Sequence, residues 1–200
     1  RALATAAVLT IAPALPVVAA PSAPSPVAAT PEAWTIDFKP GPLRLHVDID
    51  GGRSYWYMTY QVINRTGTDR MFAPRVELFS DRGELLRSGR QVPSRVTRDI
   101  MTKLGNPLLE DQNMIIGELL EGRENARDGI VIWPATDLMV TELTVFVTGL
   151  SSEIDTVPHP VTGEDVVLRK TLRRDYLVPG NAASRGSRPV EVADTRWIWR

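Results

Sequence analysis

Two histidines, His46 and His159, are the only imidazoles in the chain, and there is no cysteine. A serine-hydrolase triad needs a positioned base, and a zinc site usually draws on several His or Cys ligands. His46 falls on the polar side of an alternating stretch, and His159 stands between Pro158 and Pro160. Neither an HExxH nor a GxSxG pattern is present, nor a glycine loop that could cradle phosphate. The enzymatic chemistry left open is a pair of carboxylates, and no spacing singles one out. The chain is therefore read as non-catalytic, with no catalytic residue, no metal and no cofactor.

Binding chemistry is better represented. Asp48-Ile-Asp50-Gly-Gly is the nearest approach to a calcium loop, but Arg53 stands where further acid would help. It reads more simply as a strand end entering a glycine turn. Asn64-Arg-Thr66 has the form of a glycosylation acceptor and equally that of a turn. Arg169, Lys170, Arg173 and Arg174 form the one dense basic run. On a strand, Arg169 and Arg173 share a face, and such a stripe suits an anionic envelope polymer or an acidic partner. It also suits an edge strand that uses charge to prevent sheet-to-sheet association. Trp197 and Trp199, two apart, point the same way in an extended chain. They offer a platform for sugar rings or a partner, or else lock this segment into a groove of its own domain. Tyr55 and Tyr57 are the remaining candidate recognition aromatics.

The elements that carry these residues are mostly strands. Leu43, Leu45, Val47 and Ile49 alternate with polar residues and break at Gly51-Gly52. Trp56, Met58, Tyr60 and Val62 alternate likewise, so the period of two buries that set and leaves Tyr55 and Tyr57 half-exposed. Trp34–Phe38, Met71–Ser80, Gly129–Pro134, Glu142–Thr148 and Val166–Tyr176 complete the strand pattern, with residues 108–122 open between helix and strand. One helix is expected, capped by Ser94 and ended by Gly105 and Pro107, with Val96, Ile100 and Leu104 on one face. About eight short strands and a single good helix predict an all-β, immunoglobulin-like antiparallel sandwich with one short helix inserted near 94–104.

The formal net charge of −1 gives no case for nucleic acid or an anionic membrane as partner. After Arg1 the run ALATAAVLTIA is uncharged and too short to span a bilayer, which fits the apolar core of a signal peptide with a truncated basic start. Cleavage is expected after Ala19, with Ala29 as a second position. Residues 1–20 are thus read as signal peptide, 21–33 as a Pro/Ala-rich linker and 34–178 as the sandwich. Residues 179–200 are read as a loose extension ending in RWIWR.

The stretch YWYMTYQVINRTGTDRMFAPRVELFSDRG resembles immunoglobulin-like domains of exported bacterial proteins, in which an aromatic strand leads through an Asn-containing turn to a strand closing on Asp-x-Gly. DGIVIWPATDLMVTELTVFVTGLS resembles the closing strands of such domains. The resemblance implies fold and export and carries no activity. The expected protein is a periplasmic or extracellular module, with no membrane span in the mature chain. It would act as a structural or protein-interaction component of the cell envelope. The alternative is binding of carbohydrate or envelope polymer through Tyr55, Tyr57, Trp197 and Trp199, with Arg169 and Arg173 beside them.

Overall fold

The computed structural model describes residues 32–200; the proposed signal segment and nearly all of the linker lie outside them. With strands numbered in chain order, the smaller sheet runs β1 (Asp37–Asp48), β2 (Arg53–Asn64), β8 (Gly122–Pro134), β6 (Leu109–Glu110). The larger runs β10 (Ile154–Pro158), β11 (Asp165–Leu177), β9 (Glu142–Thr148), β4 (Arg75–Ser80), β5 (Leu85–Arg87). Thr171 pairs with Thr148 of β9 on one side and with Ile198 of β12 (Glu191–Trp199) on the other, so β12 lies along the far side of β11. A small ribbon joins β3 (Arg70–Phe72) to β7 (Gly117–Leu119). The chain is all-β in character, and its two large sheets share one core.

That core follows the period of two. Trp56, Met58, Tyr60 and Val62 of β2 are all buried, facing Leu78 of β4, Val145 and Val147 of β9, and Leu172 and Tyr176 of β11 in one cluster. Burying each such side chain contributes roughly 1.5–3 kcal/mol, so the alternation is a strong determinant of register.

The other face of the smaller sheet departs from expectation. Tyr55 and Tyr57 are 1% and 4% exposed, not half-exposed, because α1 (Ser94–Leu104) lies across that face. Val96 and Ile100 of the helix join Tyr55, Tyr57, Leu109, Ile130 and Ile132 in a second apolar cluster. The helix begins after Pro93 without a side-chain cap, so Ser94 is its first residue rather than its cap. Gly105 ends it at φ 64°, its amide bonded to Met101 O, a left-handed position that glycine adopts without strain.

Other boundaries shift for identifiable reasons. Trp34–Phe38 and Leu43–Asp48 were expected as separate strands, but β1 runs through Pro40-Gly41-Pro42 with a bulge. Both prolines sit on a sheet edge, where a missing N–H costs no ladder bond. The expected strand Met71–Ser80 splits at Ala73-Pro74 between the small ribbon and the larger sheet. The ambiguous segment 108–122 becomes the short β6 and β7, and β10 is an additional strand. Beyond residue 178 the chain does not part from the sandwich. Val178, Ala182 of the short α2 (Ala182–Arg185) and Val190 belong to the main core, and β12 then pairs with β11.

Candidate functional site

β12 is exposed along nearly its whole length, and it is held to the molecule by one ladder. The direction of its backbone groups follows from one reciprocal pair: Arg169 N donates to Arg200 O, and Arg200 N donates to Arg169 O. In an antiparallel ladder such pairs recur every second residue. Ile198, Arg196 and Asp194 therefore bond to β11, while Thr195, Trp197 and Trp199 turn their amides and carbonyls away from it. Lys170 N donating to Glu153 O, on the opposite side of β11, agrees with this alternation. The Thr195 amide is occupied locally by Asp194 Oδ1 at 2.7 Å. Trp197 and Trp199 are left as the outward donors of an open edge.

The indoles themselves stand clear of both apolar clusters, Trp197 at 40% and Trp199 at 44% exposure. They are opposite Leu172 and Lys170, so both project from the side of β12 that continues the core face of β11. Lys170 Nζ lies 5.4 Å from the Trp197 ring centroid, a cation–π contact. The segment thus docks through its backbone and leaves its aromatic side chains free, combining the two arrangements its sequence allows.

The basic run is largely neutralised. Arg173 Nε is 2.9 Å from Asp175 Oδ1, and Lys170 pairs with Glu153. Arg174 lies over the Tyr176 ring. Arg169 is exposed and, among the described residues, makes no ion pair. Across the outer face of the larger sheet, Arg200 lies 4.3 Å over the Phe146 ring and reaches Glu77 Oε2 at 2.7 Å. Glu77 is buried between Arg200 and Arg87. These contacts pin the end of β12 to the middle of the sheet.

Of the six residues that the sequence proposes for binding, the structure places Trp197, Trp199, Arg169 and Arg173 on adjacent strands but on opposite faces, the indoles beside Leu172 and Lys170 and the two arginines on the outer face. It removes Tyr55 and Tyr57, which are sealed beneath α1 on the other sheet. Asp48 is likewise committed: Oδ1 accepts from Gly51 N, and Oδ2 pairs with Arg95 of α1 at 2.6 Å. That hydrogen bond to Arg95, chiefly, holds the Asp48 carboxyl below the usual carboxylate range. Asn64 is fully buried, its amide donating to Thr68 O and Leu119 O, so it acts as a turn anchor. Among the described residues no cluster of His, Cys, Asp and Glu could hold a metal ion. No helix there is long and apolar enough to cross a membrane.

The open edge itself was missed in the sequence, because a strand exposed on both faces has no alternation to reveal it. The only available signal was the pair of indoles at strand spacing. Neither family patterns, nor characterised proteins, nor solved structures give a match to this chain.

Proposed function

We propose that this chain is an exported, non-catalytic immunoglobulin-like module of the bacterial cell envelope that binds an extended segment of a partner protein along β12. The observation that carries this reading is the open edge at Thr195–Trp199, with two exposed indoles on one side. Strand addition uses the free backbone groups for affinity and flanking side chains for selectivity. Aromatics contribute large contact area at small entropic cost.

The immunoglobulin-like assignment is supported by strand order. Taking β1, β2, β4, β5, β6, β8, β9 and β11 as A, B, C, C′, D, E, F and G gives A-B-E-D in one sheet and C′-C-F-G in the other. The parallel pairing of the two-residue β6 is a departure, and β12 is an extra strand beyond G. Export is supported by the uncharged run near the start of the sequence.

The test is to select extended peptides that bind the folded chain and map them by amide shifts. Binding should perturb residues 195–199 and be abolished by Trp197→Pro, which removes one outward donor. Selected peptides that map elsewhere, or that tolerate Trp197→Pro, refute the strand-addition reading.

A second reading, an envelope-polymer platform, rests on the shared orientation of Trp197 and Trp199. It predicts quenching of indole fluorescence by soluble peptidoglycan fragments. That quenching would be lost in a Trp197→Ala/Trp199→Ala variant and kept in Arg196→Ala.

A further inference from the structure

We propose that a cleft on the opposite flank of the larger sheet binds a phosphate-type oxyanion through Arg75, Arg87 and Arg90, with the buried Tyr60 hydroxyl as a further donor. The cleft is formed by the start of β4, the end of β5 with the turn that follows it, and the loop between β6 and β7, and it encloses about 320 Å³. That is within the range of small-ligand sites and leaves room for an organic group attached to the anion.

Its charge is one-sided. Three arginines and no carboxylate are among its lining residues, the Arg87 guanidinium being turned toward Glu77. Arg75 and Arg90 make no ion pair among the described residues. Arg87 Nε lies 3.4 Å from Glu77, but that single carboxylate also holds Arg200 at 2.7 Å. About two positive charges are therefore uncompensated, which favours a dianion such as a phosphate monoester over a single carboxylate. Guanidinium groups match the oxygens of phosphate with charge-assisted hydrogen bonds.

One buried donor in the lining, the Tyr60 hydroxyl, also lacks a protein partner. Tyr60 is 3% exposed. Its ring passes over Gly129 on the neighbouring strand, where a Cβ would come within 2.4 Å of Tyr60 Cζ. Burial, and to a smaller extent the Glu110 carboxylate, raises the pKa of the phenol well above its ordinary value, so it stays protonated and a donor. A buried hydroxyl left unpaired costs free energy that an anion oxygen would recover. Val131 and Ile116 supply apolar wall, which strengthens electrostatic contacts by excluding water.

Among the described residues, ion pairs link the site to the end of β12 through Glu77 alone, which Arg87 and Arg200 share. The test titrates the folded chain with inorganic phosphate alone and, separately, with phosphatidic acid vesicles, whose headgroup is a phosphate monoester, following the amides of residues 87–90 and 112–113. Saturable binding to phosphate that weakens about tenfold or more in Arg75→Ala/Arg90→Ala supports the proposal. Binding confined to vesicles, with the same loss, supports it and identifies the source of the anion as a lipid headgroup. Arg123→Ala, on β8, should leave affinity unchanged. The two substituted arginines are exposed and unpaired, so the double variant should remain folded by circular dichroism. Tyr60→Phe keeps the ring and should weaken binding several-fold. Absence of saturable binding to either probe overturns the proposal, as does binding equal in the wild type and the double variant.

Discussion

The alternation of β12 can be tested by placing proline on neighbouring residues. Arg196 belongs to a hydrogen-bonded pair with Arg173, two steps along the ladder from the reciprocal Arg169–Arg200 pair. Arg196→Pro removes an N–H that β11 accepts and leaves the Arg173 carbonyl short of a donor. Losing the bond costs about 1 kcal/mol, and the unsatisfied acceptor adds about 1–2. Thr195→Pro removes an N–H that only the adjacent Asp194 carboxylate uses, at an exposed position, and should cost under about 1 kcal/mol. Arg196→Ala supplies the baseline for the lost side chain, whose ion pairs to Asp175 and Asp194 are solvent-accessible and worth about 0–1 kcal/mol. For a domain of this size, the difference between the two prolines, about 1–3 kcal/mol, corresponds to a melting temperature about 2–12 °C lower for Arg196→Pro. Thermal and urea unfolding of the four proteins, including Thr195→Ala, measures it. If Thr195→Pro proves as damaging as Arg196→Pro, the register is displaced by one residue. The Trp197 and Trp199 amides would then face β11, and the open edge would disappear.

Three further outcomes follow from the packing. Ile100→Ala empties the contact between α1 and the smaller sheet and should cost about 2–5 kcal/mol in urea unfolding. Gly129→Ala sets a methyl against the Tyr60 ring and Ile115 Cδ1, at 2.4 and 2.6 Å, and should destabilise by about 1–3 kcal/mol; a neutral effect would mean that the ring can move aside. Because Arg95 lowers the Asp48 pKa in the folded state, the stabilisation from this pair is fully present above about pH 3.9, the unfolded value, and is lost as pH falls through the lower folded value. Acid unfolding should show that loss in the wild type, and Asp48→Asn should lack this contribution.

Much of the sandwich was legible because one face of each central strand is buried and the other differs from it. Trp56 to Val62, Leu143 to Val147 and the helical pair Val96 and Ile100 each carried their geometry in their spacing, whereas Leu104, expected on the same helical face, is exposed at the end of α1. Tyr55 and Tyr57 were misplaced because β2 is buried on both faces, and a two-residue period cannot say that a helix covers the second one. Pro40 and Pro42 read as a stop signal, yet on an edge strand they interrupt nothing. At the other extreme, Glu191 to Trp199 is wet on both sides and gave no pattern. The arginine cleft was illegible for another reason: its residues come from β2, β4, the turn after β5 and the β6–β7 loop, and only the tertiary structure brings them together.

The prolines of β1 have a consequence for how many neighbours this molecule can accept. Pro40 and Pro42 lie on one boundary of the smaller sheet, and β6, its other boundary, is two residues long. In the larger sheet β5 offers only three residues opposite β12. Filament growth needs a receptive border at each end of the repeating unit. Here the β1, β5 and β6 borders are blunted, so strand addition is confined to the strands paired with β11, the long β12 edge and the short, exposed β10.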